Sequence, residues 1–275
     1  MEAHRPNTAY LQSLRAQWQE NGFLLLSGIL TDQDADAVLA VVDRQWNKPG
    51  SNVFEVDVLT GANEGRTFRL ADIPPGSRSQ VYKLNNLFAL EPEIRRIALK
   101  PTLKAIMTEL LEGEPLICNS LNFERGSQQP FHIDSWYMPP PVDNRMVAAS
   151  IALEDVDSEN GPICYYPGSQ LIPAYRFSNG GLNEVPAEAP ACRAYLDQQI
   201  AERGLQPVEV RAKKGDIFLW HGQLLHGGAP IRNFNRTRNS LVVHYWRAQD
   251  LPSTQVRSDA SGSYLGHTLR GELQY

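Results

Sequence analysis

Six histidines stand at positions 4, 132, 221, 226, 244 and 267, few enough for each to be weighed as a chemical group. His132 and Asp134 form a His-x-Asp triplet. On an extended stretch alternate residues project to one face, so an imidazole and a carboxylate so spaced can share a metal ion. Such triplets are common, and the pair gains meaning only with a third ligand. Two histidines and one carboxylate would leave three positions open on iron(II). His221, His226 and His244 are the candidates for the third place, whereas His4 and His267, near the ends, are expected to face solvent. His221 and His226 differ by an odd number, so an uninterrupted strand points them to opposite faces, although Gly222 can break the register. His226 ranks first because Gly227-Gly228 behind it allow a sharp turn beside a crowded site. His221 then becomes a packed or supporting histidine.

His244 shares a strand face with Arg238, Ser240 and Val242. That face reads as a pocket wall, because a buried guanidinium requires an anion and hydrogen-bond acceptors. Taken alone, Arg238 also fits a surface arginine at a strand end, the reading given to Arg232 and Arg236.

These groups need elements to position them. Leu11, Leu14 and Trp18 have helix spacing before the Asn21-Gly22 stop, and residues 23–26 read as a short buried strand. Thr31 with Asp34 forms a capping signal for a helix whose apolar face is Val38, Val41, Val42 and Trp46. Residues 47–80 are rich in Gly, Pro and polar side chains and read as a long loop, either functional or disordered. Arg66, Arg69 and Arg78 would be solvated on it. Two further helices are expected over 91–99 and from Pro101, the second with Leu103, Ile106, Leu110 and Leu111 on one face. After Glu112 come short β-rich segments at 115–123, 147–153, 163–166, 208–211, 217–220 and 241–246. Asn160-Gly161, Pro167-Gly168 and Gly215-Asp216 punctuate them as turns. Residues 170–206 form an insertion, partly helical around 191–203, that could act as a lid. Helices followed by many strands predict a mainly β chain with helical support, an antiparallel sandwich or jelly roll.

The 275 residues suit one domain, with a helical part over about 1–112, a jelly-roll core over about 113–250 and a C-terminal tail. A net charge of −5 offers no broad attraction for nucleic acid or an anionic membrane. The composition points to a small-molecule substrate as the partner. Cys118, Cys164 and Cys192 form no Cys-x-x-Cys pair and predict buried, reduced thiols. With no apolar signal core at the start and no stretch long enough to span a bilayer, a soluble cytoplasmic protein is expected.

Taken in order, several short motifs resemble the phytanoyl-CoA dioxygenase family of iron(II)- and 2-oxoglutarate-dependent oxygenases. They are Tyr82-Lys83-Leu84, Asn86-Leu87-Phe88, the run from Gln129 through His132 to Asp134, Asn160-Gly161-Pro162, Pro167-Gly168-Ser169, Gly215-Asp216, Leu225-His226-Gly227-Gly228, Arg238-x-Ser240 and His244-Tyr245. The resemblance implies a double-stranded β-helix, a cupin-like jelly roll with helices on one side. It places His132, Asp134 and His226 at the iron-ligand positions. Arg238, with Ser240, falls where the distal carboxylate of 2-oxoglutarate is held, and Lys83, Gln129 and Ser150 are further candidates beside the cosubstrate or metal. Gln170 departs from the histidine that many relatives carry. Asp134 argues against a halogenase, in which a small residue replaces the carboxylate.

The implied reaction uses iron(II), 2-oxoglutarate and O2, releases succinate and CO2, and hydroxylates a small metabolite, natural-product intermediate or amino-acid derivative. It needs no catalytic side chain beyond the metal ligands. Trp136, Tyr137 and Met138, just past the metal segment, are the expected substrate contacts, although ordinary packing accounts for them, and for Tyr165, Tyr166 and Trp220, equally well. Demethylation, desaturation or cyclisation at the same iron remains open, as does a non-catalytic metal-binding jelly roll, which would not need Arg238 and Ser240.

Overall fold

The computed structural model describes residues 6–47 and 54–266, and the backbone alone at 268–269 and 272–273. His4 and His267 lie outside the residues whose side chains are described. The chain opens with α1 (Thr8–Asn21), stopped by Gly22 in the left-handed conformation at φ 75°, then β1 (Phe23–Leu26). In α2 (Asp32–Trp46) Thr31 and Asp34 form the reciprocal capping box that the sequence predicts. Pro92 and Pro101 each sit in the first turn of a helix, opening α3 (Pro92–Ala98) and α4 (Pro101–Leu111).

Residues 47–80 are not simply a loop. They contain β2 (Glu55–Val58) and β3 (Thr67–Arg69), which lead to β4 (Tyr82–Asn85). Val56 and Val58 are fully buried with Asp57 between them, a period-2 signal too short to stand out among glycines and prolines. Arg78 is likewise not simply solvated. Its guanidinium pairs with Glu124 and Asp43. Among the described residues, the first 112 therefore contribute four strands as well as four α-helices.

The later strands are β5 (Pro115–Phe123), β6 (Val147–Ala152), β7 (Ile163–Tyr165), β8 (Val208–Glu209), β9 (Ile217–His221), β10 (His226–Gly228) and β11 (Ser240–Arg247). The large sheet runs β1-β9-β6-β11-β5-β4-β2-β3 and the small one β10-β7-β8, the neighbours along both of these paths being antiparallel. Two strands from the tail, β12 (Val256–Ser258) and β13 (Ser263–Leu265), join the large sheet through a parallel contact of β13 with β5. The two sheets form the expected jelly roll. Alternation along the large sheet sorts its side chains. Ala149, Ile151, Leu219, Leu241, Val243 and Tyr245 share one hydrophobic cluster with α1 to α4. Ala148, Phe218, Trp220 and Val242 point the other way, into a second cluster with Ile163, Tyr165 and Leu224.

The insertion at 170–206 carries α5 (Ala189–Arg203). Its Cys192 and Leu196 pack on Ile133, Trp136, Ile172, Phe177 and Leu225 in a third cluster. The site thus sits in a sandwich backed by helices on the large-sheet side, with α5 packed against the segment that carries Asp134. Cys118, Cys164 and Cys192 are free thiols. No helix among the described residues is long and apolar enough to cross a membrane.

Candidate metal centre and cosubstrate pocket

His226 opens β10, and its backbone exchanges two hydrogen bonds with His132, at 2.7 and 3.0 Å. The His-x-Asp segment is therefore not a regular strand. It makes one isolated bridge at His132 and passes directly into a 3-10 turn at Asp134. Gly227 and Gly228 do not turn the chain either, since they continue the strand. A Cβ on Gly227 would lie 2.8 Å from the Gln129 carbonyl oxygen, and one on Gly228 2.5 Å from the Gln128 nitrogen. The glycines let the two ligand-bearing segments touch backbone to backbone. Asp134 is anchored from behind, where the Ser135 hydroxyl donates to the Gly222 carbonyl and receives a hydrogen bond from Gln223.

One ligand atom from each of His132, Asp134 and His226 lies within 4.8 Å of the others. Nε2 of His132 and of His226 stand 3.8 and 3.6 Å from Oδ1 of Asp134. The opposite ring nitrogens lie 2.8 Å from the Pro130 carbonyl and 3.0 Å from that of Leu224. An Nδ1–H donated to a carbonyl leaves the Nε2 lone pair facing the carboxylate, the state a metal requires. Donors bound at roughly 2.1 Å in adjacent positions lie about 3 Å apart, so each histidine nitrogen need close on Oδ1 by less than about 1 Å for the two to share a divalent transition metal.

Burial disfavours a charged imidazole at His132 and pulls its pKa down to about 4, with the neighbouring His226 adding to the effect and Asp134 opposing it. Burial works against ionised Asp134, but His226, His244 and His132 outweigh it and hold the carboxyl well below its ordinary range. A neutral imidazole beside an ionised carboxylate is a metal-ready donor set.

His244 comes to the same carboxylate from β11, its Nε2 3.5 Å from Oδ2. The indole N–H of Trp220 donates to Oδ2 at 2.8 Å. Trp220 escaped the sequence reading because an aromatic residue in a buried strand is ordinary packing. Only register, which sets Trp220 and His244 on either side of Ala148, reveals its role. His221 is on the opposite face of its strand, its ring 5.8 Å from that of Trp18 and its Nδ1 accepting from the Gln223 amide.

The cavity beside the triad is lined by His132, Asp134, His226, His244, Gln129, Ser127, Trp220, Leu121, Phe123, Ile163, Val242 and Arg238. Arg238 is 3% exposed, and its Nε has no hydrogen-bond partner. Burial lowers its pKa to about 10, with only a weak counter-effect from Glu154. The Ser240 hydroxyl is also buried and unpaired. A guanidinium and a hydroxyl left in this state call for a carboxylate ligand, and a dicarboxylate reaching from the triad fits them. Arg232 and Arg236, by contrast, are surface residues paired with Glu209 and Asp157.

The remaining expected residues divide. Gln129 lines the cavity. Lys83 is ion-paired with Asp57 at 3.3 Å and close enough to His132 to disfavour its protonation. Ser150 sits between Val242 and Phe218 in the sheet but outside the cavity lining. Trp136 is packed in the cluster under α5 and does not reach the cavity. Tyr137, 59% exposed, has its ring 5.7 Å from that of His132, and Met138 approaches Asn119.

The family model for phytanoyl-CoA dioxygenase matches residues 18–239. Peroxisomal phytanoyl-CoA dioxygenase of Rattus norvegicus is 26% identical over 253 residues, covering 84% of this chain and 67% of its own. Ectoine dioxygenase of Bordetella parapertussis is 26% identical over 159 residues, 55% of this chain and 47% of that one. Among solved structures, the carbocyclase SnoK from nogalamycin biosynthesis superposes with a TM-score of 0.66 at 19% identity, over 90% of this chain and 87% of its own. EctD from S. alaskensis, with 2-oxoglutarate and 5-hydroxyectoine, gives 0.60 at 18% identity, over 91% and 79%.

Proposed function

The chain belongs to the phytanoyl-CoA dioxygenase family and is an iron(II)- and 2-oxoglutarate-dependent oxygenase, and on that premise we propose that it hydroxylates a small-molecule metabolite. His132, Asp134 and His226 hold the iron, and Arg238 with Ser240 receives the far carboxylate of 2-oxoglutarate. The observation that carries this assignment is one cavity containing both a His-Asp-His triad and a buried guanidinium without an anion.

Bound iron and 2-oxoglutarate together supply the oxidising chemistry, consuming O2 and releasing succinate and CO2. The chain's own residues bind, orient and shield. The Pro130 and Leu224 carbonyls aim the two imidazoles, and Arg238 fixes one end of the cosubstrate by charge and hydrogen bonding. Leu121, Phe123, Ile163 and Val242 keep the cavity wall apolar and exclude water. No side chain is required to take a proton from the substrate. Tyr137, whose ring lies 5.7 Å from that of His132, is the substrate contact we favour, with Met138 next to it in the chain.

The small-molecule reading is supported by the name of the ectoine-acting relative and by a net charge of −5, which suits a nucleic acid or a polyanionic carrier poorly. Three free thiols suit a reducing compartment, and we place the enzyme in the cytoplasm. The test is succinate formation by anaerobically purified protein given iron(II), 2-oxoglutarate and O2 across a panel of small metabolites, with His132→Ala as control. Metabolite-stimulated succinate that disappears in the control is expected, and product mass separates hydroxylation from demethylation, desaturation or cyclisation. A protein whose iron-loaded form has no measurable 2-oxoglutarate affinity would overturn the assignment.

A further inference from the structure

The two oxygens of Asp134 have different neighbours. Oδ1 faces Nε2 of His132 and His226, at 3.8 and 3.6 Å. Oδ2 receives the Trp220 indole N–H at 2.8 Å and has Nε2 of His244 at 3.5 Å. We propose that Trp220 and His244 are positioning residues that hold Oδ2 away from the metal, so that Asp134 ligates through Oδ1 alone and three coordination positions stay open for 2-oxoglutarate and O2. The inference rests on the metal assignment made above and adds to it the reason for a one-oxygen carboxylate.

A carboxylate is free to bind one metal through both oxygens, and doing so here would take one of the open positions. Hydrogen bonds to one oxygen oppose that by making it a poorer ligand and by fixing the plane of the group. Both contacts come from rigid elements. Trp220 is 2% exposed, stacked on Phe218 at 5.6 Å, and His244 is 2% exposed. The Cys118 thiol donates to the His244 carbonyl oxygen at 3.3 Å, beside the bulge between His244 and Tyr245. His244 Nδ1 is buried without a partner, so the Asp134 carboxylate is the polar group toward which its other nitrogen is directed. A histidine that served packing alone would not leave one nitrogen unpaired and bring the other to an anion.

The probe is cobalt(II), titrated into the metal-free full-length protein while its visible absorption is followed, with the metal-free melting temperature measured for each variant. His244→Phe keeps the ring and removes the donor, His244→Gln restores a donor, and Trp220→Phe keeps the stack on Phe218 and loses only the N–H. We expect about tenfold to hundredfold weaker cobalt binding for His244→Phe and for Trp220→Phe. A cobalt absorption band altered from wild type should accompany the loss, with both recovered in His244→Gln. 2-Oxoglutarate added to cobalt-loaded His244→Phe should bind more weakly than to cobalt-loaded wild type, because it competes with the second carboxylate oxygen. Cobalt affinity within about twofold of wild type in both donor-less variants, with an unchanged band, would overturn the inference. Should His244→Phe not fold, Trp220→Phe alone decides by the same two readings. Failure of the underlying metal assignment looks different. Wild type would then take up no stoichiometric cobalt, or His226→Ala would bind it equally well.

Discussion

Replacing Arg238 with methionine should make the ligand-free protein more stable and blind to 2-oxoglutarate. The side chain is 3% exposed, its Nε lacks a partner, and burial lowers its pKa from the ordinary arginine value to about 10. At about 1.4 kcal/mol per tenfold change in proton affinity, that fall corresponds to about 3 kcal/mol of unfavourable charge burial. The unfolded chain binds the proton more tightly, so stability rises with pH only between the two values, and near neutrality the full penalty is present. An apolar side chain of similar length removes it, and such exchanges are neutral or stabilising by about 1–4 kcal/mol. For a chain of this size each kcal/mol moves the melting temperature by roughly 2–4 °C. A carboxylate bound to wild type would offset the penalty, and loss of a buried charged partner weakens binding by about 2–5 kcal/mol, or roughly 30- to 5,000-fold. The assay is anaerobic thermal denaturation of both proteins with and without metal and excess 2-oxoglutarate. Wild type should melt several degrees higher with the cosubstrate, and Arg238→Met should melt higher without it and shift little on addition. A variant that melts lower than wild type and still responds fully to 2-oxoglutarate would refute the assignment.

Three further outcomes are expected. His226→Ala should abolish stoichiometric iron(II) binding measured by chelator competition, whereas His221→Ala, on the opposite face of β9, should retain it. Burial lowers the His221 pKa to about 4, so the neutral ring is favoured by folding and stability should be lost as pH falls from about 6.5 toward 4. His221→Phe should flatten that part of the denaturant-midpoint profile, by no more than about 2–3 kcal/mol, and an unchanged slope would remove His221 as its source. Tyr245→Phe should cost about 1 kcal/mol in urea denaturation, because its buried hydroxyl donates to the Ala98 carbonyl at 2.7 Å and ties β11 to α3.

Much of the scaffold is legible in the primary structure because its signals are local. The Thr31 and Asp34 capping box, the prolines opening α3 and α4, and the Gly22, Gly161, Gly168 and Gly215 backbones at positive φ each act within a few residues. Strand β5 coincides with the run at 115–123 because its boundaries carry turn chemistry. Strands β2 and β3 were missed for the converse reason. They are short, and their stability comes from pairing with each other and, for β2, with β4, which no local pattern announces. Gly227 and Gly228 were read as a turn because glycine reports permissiveness without saying whether conformation or closeness demands it. Here it is closeness.

The sequence by itself determined which groups were available: a His-x-Asp triplet, three candidate histidines, and an arginine and serine with strand spacing. It also indicated the class, an antiparallel sandwich or jelly roll, through short β-rich runs between turns, and these follow from chain-local geometry. Only the tertiary structure decided how the groups meet. The bridge between His132 and His226 brings the histidine ranked first in the sequence beside the His-x-Asp pair, and it depends on two segments nearly a hundred residues apart approaching backbone to backbone. The roles of Trp220 and His244 depend on the register of β9, β6 and β11, since a one-residue slip would turn both side chains away from Asp134. Taken by their spacing alone, without the family resemblance, Arg238 and Arg236 read alike. The difference is burial without an anion, which arises only when distant strands close around the side chain.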